Sequence, residues 1–105
     1  MIDVSEIIFN EKDMTIEERV LYAFLLSERA YKQDAVEYEI MDFENVTEGG
    51  LYYTTHTNQE LMDLLGCSKP KLIRVKRKLE ERGLLIQKRT LDGSNKYFTF
   101  NMEVK

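Results

Sequence analysis

The chain has 105 residues, of which 43% are hydrophobic, so its composition suffices for the core of one domain, over residues 1–105, but not of two. One cysteine and one histidine exclude an internal disulfide and a zinc ligand set, and glycine-rich phosphate loops are absent, so we expect no metal, no cofactor and no enzyme. The net charge of −4 argues against nucleic-acid binding only if the charges are spread evenly along the chain.

The first predicted element is a helix that begins at Thr15. The sequence TIEE places Glu18 three residues after a hydroxyl, which is the pattern of a capping box. The apolar residues that follow share one broad face, formed by Ile16, Val20, Ala23 and Phe24 and widened by Leu21 and Leu25. So broad a face indicates either a central core helix or a helix that also packs against a partner chain.

This helix contains the longest apolar run of the sequence, from Val20 to Leu26. The run is too short to cross the roughly 30 Å core of a bilayer. The N-terminus also lacks the basic region of a signal peptide. We therefore expect a cytoplasmic protein that does not span a membrane.

The middle of the chain is less regular. The segment from Tyr38 to Val46 alternates loosely, which predicts a short strand or an ordered loop. The segment from Leu51 to Thr55 is rich in aromatic and β-branched residues and predicts a short strand.

A second capping box, Thr57 with Glu60, starts the next predicted helix. Gly66 ends it, because glycine enters the left-handed conformation without steric cost. The apolar residues of this helix fall at i, i+3 and i+4: Leu61, Leu64 and Leu65.

A third helix follows after a short step in the chain. Ser68 is its predicted N-cap, Pro70 is tolerated in its first turn, and Gly83 ends it. Its buried stripe is predicted to consist of Leu72, Val75 and Leu79.

The C-terminal part alternates in two pieces that are separated by the turn LDGSN. Alternation around Asp92-Gly93 predicts a β-hairpin, with Phe98, Phe100 and Met102 on one side facing the core. The order of elements therefore predicts an α+β fold, a winged helix-turn-helix with a small three-helix core and a C-terminal β-hairpin wing.

The charges are distributed unevenly along this plan. Residues 1–67 hold 4 Lys/Arg against 15 Asp/Glu, whereas residues 68–105 hold 11 against 4. The two parts therefore carry −11 and +7, and the positive charge coincides with the third helix and the hairpin. Such a local positive field predicts binding of nucleic acid in spite of the low overall pI.

Helical geometry assigns roles to the individual cations. A turn of 100° per residue points Arg74 and Arg77 away from the buried stripe. The residues expected to approach base edges or inner phosphates are Lys69, Lys71 and Arg74, with arginine favoured for a base because its planar fork can bind guanine at two atoms. The residues expected to bind backbone phosphates are Arg77, Lys78, Lys88, Arg89 and Lys96. The alternative is a solvated helix face, on which lysines pair with Glu80 and Glu81.

The block YTTHTNQELMDLLGCSKPKLIRVKRKLEERGLL, preceded by MTIEERVLYAFLLSER from Met14 to Arg29, resembles the N-terminal domain of the RepA_N family of plasmid replication initiators of Gram-positive bacteria. The resemblance implies a winged-helix domain that binds repeated sequences at a replication origin as a homodimer. It supports Ser68, Lys69, Lys71, Arg74 and Lys78 as DNA-binding residues on the recognition helix, and the hairpin as wing. It also favours a role of the first helix in dimerisation.

The wing sequence LDGSNKYFTF departs from the usual wing of the family, since it carries an acid at Asp92. Initiators of the family also have a C-terminal domain that engages host replication proteins, and nothing in this sequence corresponds to it. We therefore expect either the origin-binding part of an initiator or a shorter relative.

The leading hypothesis is sequence-specific binding of double-stranded DNA at an origin. The alternatives are a transcriptional repressor of phage or plasmid origin that uses the same surface, and a winged helix that binds an acidic protein partner.

Overall fold

The computed structural model describes residues 14–101, and every structural statement below concerns this range. The helices are α1 (Ile16–Glu37), α2 (Phe43–Val46), α3 (Asn58–Leu65) and α4 (Lys69–Glu81). The strands are β1 (Thr47–Glu48), β2 (Leu51–Tyr52), β3 (Thr54–His56), β4 (Leu85–Arg89) and β5 (Asn95–Thr99). Strands β1 and β2 form a small antiparallel sheet, and the other three form an antiparallel sheet in the order β3-β5-β4. The helix pair α3–α4 followed by the β4–β5 hairpin confirms the predicted winged helix-turn-helix.

The main core lies between α1, α3, α4 and the three-stranded sheet. Its largest fully buried side chains are Leu21, Tyr22, Leu25, Leu61, Leu72, Leu79, Leu85 and Tyr97. The stripe predicted on the third helix is confirmed, because Leu72, Val75 and Leu79 are all buried. No helix within residues 14–101 is long and apolar enough to cross a membrane.

Both predicted capping boxes are present. The Thr15 hydroxyl accepts a hydrogen bond from the Glu18 amide at 3.2 Å, and the Glu18 carboxylate accepts one from the Thr15 amide at 2.8 Å. Thr57 and Glu60 make the same pair of contacts at the start of α3. Helices α1 and α3 therefore begin where the sequence predicts, since each box satisfies backbone donors that have no partner within the helix.

The buried face of α1 agrees with the predicted one only in part, since Leu21 and Leu25 are buried and Ala23 and Phe24 pack against the core. Ile16 and Val20 are 73% and 41% exposed, whereas Tyr22 is almost fully buried. The Tyr22 hydroxyl donates to the Phe100 carbonyl at 2.5 Å, which fixes Tyr22 toward the sheet. Because Val20 lies about 200° around the helix from Tyr22, it turns to solvent. On α3, Leu61 is buried as predicted, but Leu64 is 41% exposed.

The middle segment also differs from its prediction. Residues 38–46 contain no strand but a turn followed by the single helical turn α2. The predicted strand from Leu51 to Thr55 is divided into β2 and β3, which pair with different partners, β1 and β5. The interruption at Tyr53 occurs where its amide donates to the Val46 carbonyl at 3.2 Å.

The small sheet depends on a two-residue turn that our sequence analysis missed. Gly49 and Gly50 connect Glu48 to Leu51, its cross-strand partner, and both glycines have positive φ, at 59° and 81°. Two successive positive φ values are what a tight type I′ hairpin requires, and adjacent glycines adopt them without strain. The Gly-Gly pair was therefore the signal for this hairpin.

The C-terminal hairpin is confirmed, with its strands in the register Leu85↔Thr99 to Arg89↔Asn95. Phe98 is buried as predicted and packs against Tyr53, with ring centroids 5.8 Å apart. Its neighbour Tyr97 points to the other face and joins the main core. Phe100 is only half-buried, and Met102 lies outside the described residues.

Candidate nucleic-acid interface

Helix α4 is positioned by the turn that precedes it. Gly66 ends α3 in the left-handed conformation, with φ 61° and ψ 39°, and Ser68 follows as the N-cap of α4. Pro70 lies in the first turn, where it costs no intrahelical hydrogen bond. The Ser68 hydroxyl makes no capping bond to the helix it precedes, and the residue is exposed. Ser68 therefore presents its hydroxyl to solvent at the start of α4.

The outer face of α4 carries cations without acidic partners. Lys69, Arg74 and Arg77 are exposed, and no carboxylate of residues 14–101 pairs with any of them. Arg74 and Arg77 lie opposite the stripe that docks on the core. This face has the shape and charge that a helix needs in the major groove of B-DNA.

The other two predicted cations of α4 are paired. The Lys71 ammonium lies 2.8 Å from the Glu17 carboxylate of α1, and hydrogen bonding to Lys71 is the main reason that the pKa of Glu17 is lowered. Lys78 lies 3.6 Å from Glu81, three residues along the same helix, and both are exposed. Exposed pairs of this kind are weak, so a phosphate can compete for either lysine.

The wing divides its three predicted cations between its two faces. Arg89 shares a face with Asn95 and lines the groove next to α4. Lys88 and Lys96 are cross-strand partners on the opposite face, where both contact the Glu48 carboxylate, at 2.9 and 3.3 Å. The structure therefore places Arg89 with the cations of α4 and places Lys88 and Lys96 apart from them. Their role as phosphate contacts stays a prediction.

Lys76 is a site residue that sequence reasoning missed. The side chain is only 4% exposed, and its ammonium donates to Asn58 Oδ1 at 2.9 Å and to the Tyr97 hydroxyl at 3.2 Å. Sequence spacing contained the signal, because Lys76 lies four residues after Leu72 and three before Leu79, at the edge of the buried stripe. Helical spacing also allows Lys76 to pair with Glu80, but the two residues are not within ion-pair distance in the structure.

A groove of about 560 Å³ separates α4 from the wing. Its helical wall contains Lys69, Ile73 and Lys76, and its hairpin wall includes Arg89 and Asn95. Three cations from two elements thus converge on one concave surface, beside the exposed face of α4.

The single histidine is part of the scaffold. His56 Nε2 lies 2.5 Å from Glu28 of α1, and Nδ1 lies 3.1 Å from Glu60, the capping residue of α3. The imidazole therefore connects two helices through their acids. Within the described part of the chain, no group of three His, Cys, Asp or Glu side chains is placed to hold a metal ion.

Comparison with solved structures relates the chain to DNA-binding and initiator proteins of the same fold. The chain is similar to a structure described as the N-terminal domain of a DNA binding protein, with 33% identity and a TM-score of 0.60 over 91% of this chain and 68% of that one. It is also similar to a Rep–DNA complex, with 29% identity and a TM-score of 0.63 over 100% of this chain and 78% of the other. A third structure, described as an MDR initiator, gives 26% identity and a TM-score of 0.64 over 100% and 79%. No curated protein sequence matches the chain.

The family comparison covers almost the whole chain. The model of the RepA_N family, described as the N-terminus of the replication initiator protein RepA, matches residues 3–105. This range includes both helices of the helix-turn-helix, the wing and all nine residues predicted to bind DNA. The chain belongs to the RepA_N family of replication initiator N-terminal domains.

Proposed function

We propose that this domain binds double-stranded DNA sequence-specifically and recognises repeats at a plasmid replication origin. The observation that carries the proposal is the outer face of α4, where Lys69, Arg74 and Arg77 are exposed without an acidic partner among residues 14–101. Membership of the initiator family and similarity to a Rep–DNA complex support the same function.

The mechanism is electrostatic docking followed by base recognition. Helix α4 enters the major groove, where Arg74 binds a base edge and Lys69 and Lys71 reach base edges or inner phosphates. Arg77, Lys78 and the wing neutralise the phosphate backbone, and the exposed Ser68 hydroxyl adds a neutral donor at the start of the helix.

The domain carries out this role without a cofactor and without catalysis. We propose that it acts in the cytoplasm as a homodimer, so that two α4 helices engage two half-sites. Support for the dimer comes from the exposed apolar side chains of Ile16 and Val20 on α1.

Two substitutions at one position test base recognition. Arg74→Ala removes both charge and fork, whereas Arg74→Lys keeps the charge and loses the two-atom contact. We expect wild-type protein to prefer one origin repeat over random duplex in fluorescence anisotropy, with a log-log salt slope of roughly −4 to −5 for about 4–6 phosphate contacts. Both variants should lose the preference, and Arg74→Lys should keep the salt slope.

Equal affinity for all duplexes in both wild-type and variant proteins would contradict sequence-specific recognition. A weak salt slope on every duplex would instead favour an acidic protein partner. A preferred site in a promoter rather than among origin repeats would favour the repressor alternative, which uses the same surface.

A further inference from the structure

The floor of the groove between α4 and the wing contains a buried ammonium group. Lys76 is 4% exposed, yet it lines this groove together with the exposed Lys69 and Arg89. Lysine is rarely this deeply buried without a charged partner. Its surroundings therefore decide whether the charge is compensated within the domain.

The hydrogen-bond partners of Lys76 are neutral. An ammonium group has three N–H donors, and two of them are directed to Asn58 Oδ1 and to the Tyr97 hydroxyl. The Tyr97 ring also lies beneath the charge, with its centroid 5.5 Å from Nζ. No carboxylate of residues 14–101 lies within ion-pair distance of this ammonium, and none of these residues accepts its third hydrogen bond.

The nearest candidate acid on the same helix is otherwise engaged. Glu80 lies four residues after Lys76, but its Oε1 accepts a hydrogen bond from Gln87 of β4 at 2.6 Å. Glu80 contributes only a longer-range attraction, which opposes the lowering of the Lys76 pKa. Glu80 is thus hydrogen-bonded to the wing and makes no ion pair with Lys76.

The local charges increase the cost of this arrangement. Burial lowers the pKa of Lys76, and the positive charges of Arg89 and Lys69 lower it further. A buried charge is normally stabilised by a partner of opposite sign, and removing water without supplying one is unfavourable. Three cations that face one concavity are therefore stabilised by an anion that enters it.

We propose that the groove between α4 and the wing is a phosphate-binding site in which Lys76, Lys69 and Arg89 bind one phosphate group. Lys76 supplies a compact point charge at the floor, and Arg89 supplies a planar fork from the hairpin side. Asn58 and Asn95 add side-chain amides at the same surface. Lys76 lies on the inner side of α4, and Arg89, Asn58 and Asn95 come from other elements, so only Lys69 belongs to both this site and the outer face of α4.

The chemistry fits two sources of the phosphate group. In a DNA complex it is a backbone phosphodiester next to the groove that α4 occupies, and this version rests on the proposed function. The second source is a free phosphate group, such as inorganic phosphate, which needs no DNA. The two sources require separate measurements on the same variants.

Lys76→Met keeps about the volume of the side chain, shortens it by one atom and removes the charge. Lys32→Met is its control, because Lys32 is half-buried, donates to a neutral oxygen, the Tyr53 carbonyl, and lies 5.3 Å from a tyrosine ring centroid. Burial likewise lowers the pKa of Lys32. Lys32 lies on α1 and does not line the groove.

The first measurement replaces chloride by inorganic phosphate at constant ionic strength and follows the side-chain amide NMR signals of Asn58 and Asn95. We expect both signals to shift with saturation in wild-type protein and in Lys32→Met, and affinity to fall at least about tenfold in Lys76→Met. Should Lys76→Met fail to fold, Arg89→Met replaces it, since Arg89 is exposed and its loss should also weaken the shift.

The second measurement is the salt dependence of binding to a random duplex. Loss of one phosphate contact lowers the magnitude of the log-log slope by about 0.9, and we expect this change for Lys76→Met but not for Lys32→Met.

A change in both measurements identifies the DNA backbone as the source, whereas a change in the NMR titration alone identifies a free phosphate group. If the wild-type domain binds no duplex, the proposed function is wrong. The NMR titration then still shows whether the groove binds phosphate. If phosphate shifts neither amide and the slope is unchanged, the proposal is wrong and Lys76 only joins α3 to β5.

Discussion

The ammonium of Lys88 on the wing lies 2.9 Å from the carboxylate of Glu48 on the β1–β2 sheet. The second oxygen of the same carboxylate lies 3.3 Å from Lys96, so one acid pairs with both cations that sequence analysis assigns to phosphates. Hydrogen bonds from Lys88 and then Lys96 lower the pKa of Glu48. The acid therefore remains charged at neutral pH and competes with any phosphate for both lysines.

Glu48→Gln removes this competition. We expect the variant to bind random duplex more tightly than wild type and to have a salt slope steeper by about 1 to 2, since each recovered phosphate contact adds about 0.9. Glu44→Gln is the control, because Glu44 is an exposed acid on α2 that pairs with no cation of residues 14–101. Unchanged affinity and slope in Glu48→Gln would mean that Lys88 and Lys96 do not reach DNA.

The buried stripe of α4 packs on the core and thereby orients the cationic face. Removing a side chain of this stripe should therefore lower the stability of the domain. Leu79 is 0% exposed and lies in the main core. We expect Leu79→Ala to lower the free energy of unfolding by about 2–5 kcal/mol, measured by urea denaturation. Leu64→Ala is a matched control, because Leu64 is 41% exposed and should lose much less. Equal losses would indicate that the stripe is not the main contact of α4.

Local sequence patterns predicted the helices and strands of this fold better than the contacts between them. Thr15 and Thr57 are followed by glutamates at a fixed spacing, and Leu72, Val75 and Leu79 repeat with the helical period, so these caps and this stripe can be predicted from neighbouring residues. On α1 the prediction was wrong for Ile16 and Val20, because apolar residues occur on more than one side of this helix. Contacts between residues far apart in the sequence, such as that of Tyr22 with the Phe100 carbonyl 78 residues away, orient this helix on the core.

Contacts between distant residues also limited the prediction of the candidate site. The exposed cations of α4 follow from helical geometry, and Lys69, Arg74 and Arg77 are exposed as predicted. The pairing of Lys88 with Glu48 could not be predicted, because it joins residues 40 positions apart through two different sheets. Burial of Lys76 depends in the same way on Tyr97, which the fold of the wing brings beneath it.

The tip of the wing contains an acid whose pH dependence can be predicted. Side-chain hydrogen bonds from Ser94 and Thr90, followed by the Ser94 amide, lower the pKa of Asp92 from 3.8 to about 2. The carboxylate therefore stabilises the turn fully above pH 3.8, and this contribution is lost as the pH falls through about 2. We expect the Ser94 amide proton signal to titrate with a midpoint near pH 2. Asp92→Asn should abolish this titration, and a midpoint near 3.8 would show that the hydrogen bonds do not form in solution.

The exposed apolar residues at the start of α1 allow a direct test of the proposed homodimer. Ile16 is 73% exposed, and Val20 lies one turn further along the same side of the helix. If this surface joins two copies, Ile16→Glu places a charge in an apolar interface and should weaken dimerisation by at least about tenfold in sedimentation equilibrium. Ile40→Glu is a closely matched control, because Ile40 is the same residue type, is also 73% exposed, and lies beyond the other end of α1. A wild-type protein that stays monomeric, or equal dissociation by both variants, would exclude this surface as the interface, and the half-sites would then have to be paired by another part of the protein.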